Sequence, residues 1–570
     1  MNLKGIGASR GIAIARVFEL KHYDIKIDKK KISNVEQEIQ KLESSIKNTV
    51  EQIEKIKQIA SKNLDAEHAA VFDAHIQVAT DPMMKEEMIE IIKNESLSAE
   101  YAVDEISKKY INMFSSMDDE YMKERAADIQ DVCQKMIFNL LGIVKEDLTS
   151  INEEVIIVGV DLTPSETSQL NKKYVKGFAT DIGGRTSHSA IMARSLEIPA
   201  VLGIGDITKK VKTGDIIAIN GTTGEVFVNP SKELQDKLKK DIEEEERLQK
   251  VLETFKDKPS ISKDGHHVEI AGNIGSPQDV PGVLNANGDA VGLFRSEFLY
   301  MDSNDWPNEE EQYQAYKTVL EKMNGKKVII RTLDIGGDKI LKYFTFPTEM
   351  NPFLGYRAIR FCLDRKDVFK TQLRALIRAS EFGKLGIMFP MIATVDEFKN
   401  AKEFYNEVYN EVKKDYPNVS STIEVGMMVE IPAAAVNSEN FCKYADFVSI
   451  GTNDLIQYTM AADRMSEKVS YLYQPLNPSI LRLIKMTIDG AHKNGKWAGM
   501  CGEMAGDLQA IPVLLGLGLD EFSMSASSIL SARELISRIN FKDAQEIANK
   551  CLLADNEEEV IKVLENNKKW

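Results

Sequence analysis

Apolar residues at Val35, Ile39, Leu42, Ile46, Val50, Ile53, Ile56 and Ile59 recur in steps of three and four, the spacing that lays one stripe along a helix. A long amphipathic helix follows. Helical patterning continues through residues 66–78, 83–92 and 126–141, so residues 33–150 are expected to form an all-helical block of packed helices. The chain opens on a short strand-like run at 11–18. After the block the period shortens to β-rich runs at 155–160, 175–180, 200–203, 216–220 and 225–229, with a helix from about Ser189 to Leu196 after a Gly-rich turn. This is a compact α/β unit.

Residues 231–258 are dense in Lys and Glu and lead to Pro259, the pattern of a solvated connecting helix and a domain boundary. Beyond it, strand-like runs at 268–273, 290–294, 328–333, 386–391, 425–430, 447–451, 497–501 and 521–524 alternate with helical stretches. Eight such units over about 290 residues predict a (β/α)₈ barrel with its site at the C-terminal strand ends. The expected fold is multidomain α/β. An α/β domain takes residues 1–20 and 151–230, a helical insert 21–150, a helical linker 231–259 and the barrel 260–570.

Composition narrows the function. The 570 residues are 43% hydrophobic and 28% charged, with 34 Gly and 16 Pro, an ordinary globular balance. A net charge of −16 argues against wrapping nucleic acid or lying on an anionic membrane. Cys133, Cys362, Cys442, Cys501 and Cys551 are odd in number and scattered, so neither a disulfide framework nor a structural zinc site is indicated. No run of about 18 apolar residues is present, and a cytoplasmic protein without membrane insertion is expected.

The strand ends carry Arg295, Arg331, Asp334, Glu430, Asn453, Asp454, Cys501 and Glu503. One such charge could be a surface ion pair, but so many at one barrel face imply water, a ligand or a metal. Arg295, Arg331, Arg357 and Arg464 offer planar forks suited to phosphate and carboxylate oxygens. Glu430 and Asp454 are hard oxygen ligands on neighbouring strands, the type Mg²⁺ takes when water and substrate complete its shell. A phosphorylated carboxylate held by arginines and one Mg²⁺ follows. A second site is the turn Gly183-Gly184-Arg185-Thr186-Ser187-His188-Ser189-Ala190, which would set His188 at a helix N-terminus favourable to phosphate. A neutral imidazole there is a competent phosphoryl acceptor, although a structural histidine fits the same turn.

The stretch GGRTSHSAIMARSLEIPA (183–200) resembles the phosphohistidine signature of enzymes that use phosphoenolpyruvate, and DFVSIGTNDLIQYTMAADR (446–464) their second signature. GIGASRGIAIAR near the start, RTLDIGGDK (331–339), NPFLGYRAIR (351–360) and MCGEMAGD (500–507) extend the match in order along nearly the whole chain. The chain is similar to the phosphoenolpyruvate-protein phosphotransferases, enzyme I of the bacterial sugar phosphotransferase system.

That resemblance implies that His188 takes the phosphoryl group of phosphoenolpyruvate, releases pyruvate and passes the group to a histidine of the phosphocarrier protein HPr, driving sugar uptake. It implies that Arg295, Arg331, Arg464 and Asn453 hold phosphoenolpyruvate, with Arg357 assisting at the phosphate. Glu430 and Asp454 would bind Mg²⁺, with Asp454 also near the substrate, Cys501 would donate a proton to the enolate carbon, and Thr167 would hydrogen-bond the active histidine. HPr is expected on the second and third helices, at Glu67, His68, Phe72, His75 and Asp81. A homodimer through the barrel is the family expectation. Pyruvate phosphate dikinase and phosphoenolpyruvate synthase share both signatures but need an ATP-grasp domain for which these 570 residues leave no room. A non-catalytic regulatory relative is disfavoured by the retained His188, Arg295, Arg331, Glu430, Asp454 and Cys501. The acidity is localised: residues 33–150 hold 13 Lys plus Arg against 24 Asp plus Glu, a net −11. The helical block could therefore steer a basic partner face.

Overall fold

The computed structural model describes residues 1–570 apart from 22–24, 64–65, 116–119, 144–147, 149–150, 168, 185–186, 197, 302, 338, 340, 465 and 569. The side chains at 59–63, 66–71, 120–124, 127, 164–165, 188, 191, 195 and 467 also lie outside the description. The chain divides into two units, Met1–Arg247 and Leu248–Trp570. The helix Lys232–Glu253 runs across that division. Among the described residues no helix is long and apolar enough to cross a membrane.

In the first unit the strands are β1 (Asn2–Lys4), β2 (Ile6–Ser9), β3 (Ile12–Glu19), β4 (Val155–Gly159), β5 (Val175–Thr180), β6 (Ala200–Leu202), β7 (Ile216–Asn220) and β8 (Glu225–Val228). They form one sheet in the order β1-β8-β7-β3-β4-β5-β6-β2. Strands β3 to β6 run parallel, and β4, VIIVG, is buried along its whole length, as a parallel strand covered on both faces requires. Alternation splits its side chains between two cores: Ile157 joins Phe178 and Leu202, while Ile156 and Val158 join Val17 and Ile219. Since β3 and β4 are neighbours, the helices between them in sequence are an insertion into the sheet's connectivity.

The insertion comprises helices Val35–Asn63, Ala66–Ala79, Pro82–Glu95, Ala99–Ser115 and Glu120–Leu141. The helix Ala99–Ser115 is not picked out individually by the pattern, because its buried stripe, Ala99, Ala102, Val103, Ile106 and Ser107, is short and includes two alanines and a serine. The third helix starts where its chemistry dictates. Asp81 accepts from the Met84 backbone N–H at 2.8 Å, and Pro82 opens the first turn.

The second unit is the predicted barrel. Strands β9 (Glu269–Ile274), β10 (Val291–Arg295), β11 (Lys327–Arg331), β12 (Lys384–Phe389), β13 (Glu424–Val429), β14 (Phe447–Ile450), β15 (Trp497–Met500) and β16 (Glu521–Met524) close in chain order, all parallel. Helices between them bury Val, Ile, Leu and Phe against the outer wall. Inside, Leu293, Ile329, Met388, Met428 and Phe447 fill the bore beneath Cys501, so the barrel is a packed body and its chemistry is confined to one rim.

Candidate active site at the barrel mouth

The site is built from strand ends. Arg295 and Arg331 are the last residues of β10 and β11, Glu430 follows β13, Asn453 and Asp454 open the helix Thr452–Met460 after β14, and Cys501 follows β15. Together with Arg464 they line one pocket of about 170 Å³ that also receives Asn273, Glu297, Asp334, Lys339 and Glu503. Arg357 stands just behind, 2% exposed.

Buried charge here is arranged as a network centred on Asp334. Its carboxylate meets Arg331 at 3.0 Å, Lys339 at 2.8 Å and Arg357 at 3.0 Å. Glu297 accepts from Arg331 and, at 2.9 Å, from Lys339. Burial alone would push the Asp334 carboxyl up, but Arg331, Lys339 and Arg357 outweigh it and hold it well below the usual carboxylate range. The guanidinium of Arg331 pays a burial penalty that Asp334, then Glu297, more than offset. Arg357 behaves likewise, with Asp334 and then Asp454 as its counter-charges. Arg295, by contrast, is exposed and makes no ion pair among the described residues.

Glu430 and Asp454 form an acidic corner. Glu430 accepts the Met391 backbone N–H at 2.6 Å, and Met391 adopts φ +56° to aim it there, a strained conformation of the kind that accumulates at functional sites. Burial, then Asp454, then Asp334 raise the Glu430 carboxyl above its ordinary range. The Asp454 Oδ1 atom is buried with no hydrogen-bond partner among the described residues. Two facing carboxylates, one with an orphan oxygen, fit a hard cation. Among the described residues no group of three or more His, Cys, Asp or Glu side chains makes a metal cage, so such a cation would complete its shell with water and substrate.

Cys501 is buried at 5% exposure, with its Sγ 3.9 Å from the Ile450 carbonyl. Burial pushes its thiol up to about 11, so it keeps its proton at neutral pH. Asn453 accepts from the Tyr473 hydroxyl at 3.2 Å, and the backbone N–H of Arg464 donates to Gln457 at 3.1 Å.

In the first unit, His188 is the first residue of the helix His188–Ser195, behind the cap Ser187, whose Oγ accepts from the Ala190 N–H at 3.3 Å. The His188 side chain lies outside the described residues. Gly183, at φ +120°, makes the turn that precedes it. Thr167 is buried, and its hydroxyl donates to the Thr163 carbonyl at 3.1 Å. The Glu67 and His68 side chains also lie outside the described residues, while Asp81 is the half-buried helix cap. Phe72 and His75 require a correction: at 2% and 0% exposure they belong to the helical core. His75 contacts Asp128 at 2.9 Å and stacks edge-on with Phe72, so neither presents a docking face. A polar residue in a helical stripe reads as solvent-facing until its buried partners are known. Glu297, Lys339 and Asn273, which line the pocket, and Tyr458, whose hydroxyl accepts from Arg357 at 3.2 Å, are site neighbours to which pattern reading assigns no role. Glu297 could have been found by its place two residues after Arg295.

Three family profiles match in chain order: PEP-utilising enzyme, N-terminal, over residues 4–125; PEP-utilising enzyme, mobile domain, over 151–224; and PEP-utilising enzyme, PEP-binding domain, over 249–541. A phosphoenolpyruvate-protein phosphotransferase of Mycoplasma capricolum subsp. capricolum is 56% identical over 99% of this chain and 98% of its own. That of Bacillus subtilis is 55% identical over 98% of each chain. That of Staphylococcus carnosus is 52% identical over 99% of this chain and 98% of its own. With a barrel rim of arginines and carboxylates and a histidine opening a capped helix in the other unit, this chain belongs to the phosphoenolpyruvate-protein phosphotransferase family of enzymes.

Proposed function

We propose that this enzyme takes the phosphoryl group of phosphoenolpyruvate onto His188, releases pyruvate, and passes the group to a histidine of HPr, as the first step of sugar uptake by the phosphotransferase system. The observation that carries the reading is the pocket itself: four cations, Arg295, Arg331, Lys339 and Arg464, line it beside an acidic corner, with Arg357 just behind. Such a rim suits a substrate with a phosphate and a carboxylate on adjacent carbons.

In this reading Arg295, Arg331 and Arg357 grip the phosphate, and Arg464 and Asn453 the carboxylate. Glu430 and Asp454 would hold Mg²⁺, which when bound neutralises charge on the transferring oxygens. The His188 imidazole, opening its helix, receives the phosphoryl group, with the helix N-terminus favouring the anion formed there. Thr167 would orient the ring. The Cys501 thiol then donates its proton to the methylene carbon of enolpyruvate. A thiol pushed up to about 11 suits that acid role.

His188 belongs to the unit Met1–Arg247 and the arginines to Leu248–Trp570, so transfer requires the two to approach and then separate for HPr. The linker around residues 231–258 is the proposed hinge. HPr would meet the acidic helices near Glu67, His68 and Asp81, and two chains would pair through the barrel. The cytoplasm, where the thiols stay reduced, is the proposed compartment. Pyruvate release assayed with Mg²⁺ and either HPr or an adenine nucleotide tests the partner. Multiple turnovers with HPr alone support this reading, and turnover with a nucleotide alone supports a dikinase-like one.

A further inference from the structure

Asn273, near the end of β9, has so far been given no role, yet its side chain ties down the peptide of Cys501. Its Nδ2 donates to the Cys501 carbonyl at 3.0 Å and to the Ser523 carbonyl at 3.4 Å. Its Oδ1 accepts the Ser523 hydroxyl at 2.6 Å. Two carbonyls on one side and a hydroxyl donor on the other allow only one orientation of the amide. Strand β16 lies between β9 and β15 in the barrel order, so Asn273 reaches across it to hold the residue that follows β15.

The rest of the Cys501 backbone is held too. Its N–H donates to the Ile450 carbonyl at 3.1 Å. Gly502 lies so close to Thr452 that a Cβ there would meet Thr452 Oγ1 at 1.8 Å. Of these two hydrogen bonds to the Cys501 backbone, the Asn273 bond is the one that comes from a side chain, and it fixes the peptide plane from which the thiol projects into the pocket.

We infer that Asn273 is a positioning residue that aims the Cys501 thiol at one face of the enol. The inference rests on the proposed proton-donor role of Cys501. In that step the S–H bond breaks and the proton joins C3. The enolate left by phosphoryl transfer supplies the π pair that forms the new C–H bond, its C2–O⁻ becomes the carbonyl of pyruvate, and the thiolate regains a proton from water. A misdirected thiol slows delivery, since displacement of about 1 Å can cost on the order of 10²-fold. Enolpyruvate would then leave and be protonated by solvent on either face.

The test uses the whole enzyme with Mg²⁺ in D₂O and (Z)-2-phosphoenolbutyrate, whose C3 becomes stereogenic on deuteration. Wild type is expected to give one C3 epimer of 2-oxobutyrate, read by NMR after enzymatic reduction. Asn273→Ala is expected to give a ratio near one to one, and Ser523→Ala, which frees the amide to turn, an intermediate ratio. Being a product ratio, the readout does not depend on how much activity a variant retains. A single epimer from Asn273→Ala, or from Ser523→Ala should the first variant not fold, overturns the inference. A single epimer from Cys501→Ser would overturn the proton-donor reading itself, whereas a mixture from Cys501→Ser with a single epimer from Asn273→Ala would overturn only the positioning role.

Discussion

Replacing Asp334 by Asn keeps the shape of the side chain and removes the charge on which three cations, the buried Arg331 and Arg357 and the half-buried Lys339, converge. Arg331 and Lys339 retain Glu297, but Arg357 is left with Asp454 at 3.8 Å. Breaking one member out of a buried ion pair costs about 3–5 kcal/mol, and the retained Glu297 argues for the low end, about 3 kcal/mol. At roughly 2.1 cal/mol/K per residue, the 323 residues of Leu248–Trp570 carry an unfolding entropy of about 0.7 kcal/mol/K, so Tm should fall by about 4 °C. Trp306, Trp497 and Trp570 are the three tryptophans of the chain and all lie in that unit. Tryptophan fluorescence during heating therefore reports the barrel alone. The sign with pH is fixed by the depressed carboxyl: its contribution is fully present above the unfolded value of about 3.9 and is lost as pH falls through the lower native value. The gap between wild type and Asp334→Asn should stay constant from about pH 5 to 8 and close only below about pH 4. A variant melting within about 1 °C of wild type at pH 7 would refute the network as an energetic unit.

Three further outcomes follow from the same geometry. Gly336→Ala forces a side chain into φ +102° with its Cβ 2.6 Å from that of Arg357, a strain on the order of 1–3 kcal/mol. Phosphoenolpyruvate affinity, read by titration calorimetry, should weaken roughly tenfold or more, and an unchanged affinity would remove Arg357 from the substrate's reach. Alkylation of Cys501 by iodoacetamide, followed by peptide mass, should keep rising through pH 10, because burial pushes the thiol up to about 11; a plateau near pH 8 would mean a thiolate unsuited to proton donation. The acidic helical block should give an HPr association rate that falls with added salt and falls further on charge reversal at Glu67 and Asp81. Rates independent of ionic strength would leave the net −11 of residues 33–150 without a steering role.

Much of this molecule is legible from pattern because the barrel strands are buried on both faces and read as unbroken apolar runs such as Val328, Ile329, Ile330 before Arg331. The site followed, since charge at the end of an apolar strand has one place to go. What pattern missed has physical reasons. Strands β1 and β2 are three and four residues long, edge pieces too short to show a period. Asn273 acts through its amide on backbone 228 residues away, and no local spacing encodes that. Phe72 and His75 show the converse failure: their residue types suit a docking face, but Asp128, which hydrogen-bonds the buried His75 Nε2, sits on a helix more than 50 residues later.

The central claim is that His188 carries the phosphoryl group, and the most direct measurement follows the label itself. Phosphoenolpyruvate labelled on phosphorus, mixed with the whole enzyme and Mg²⁺, should leave acid-labile, base-stable label on the peptide containing His188 and none on the His188→Ala variant. Label that persists on His188→Ala would contradict the account.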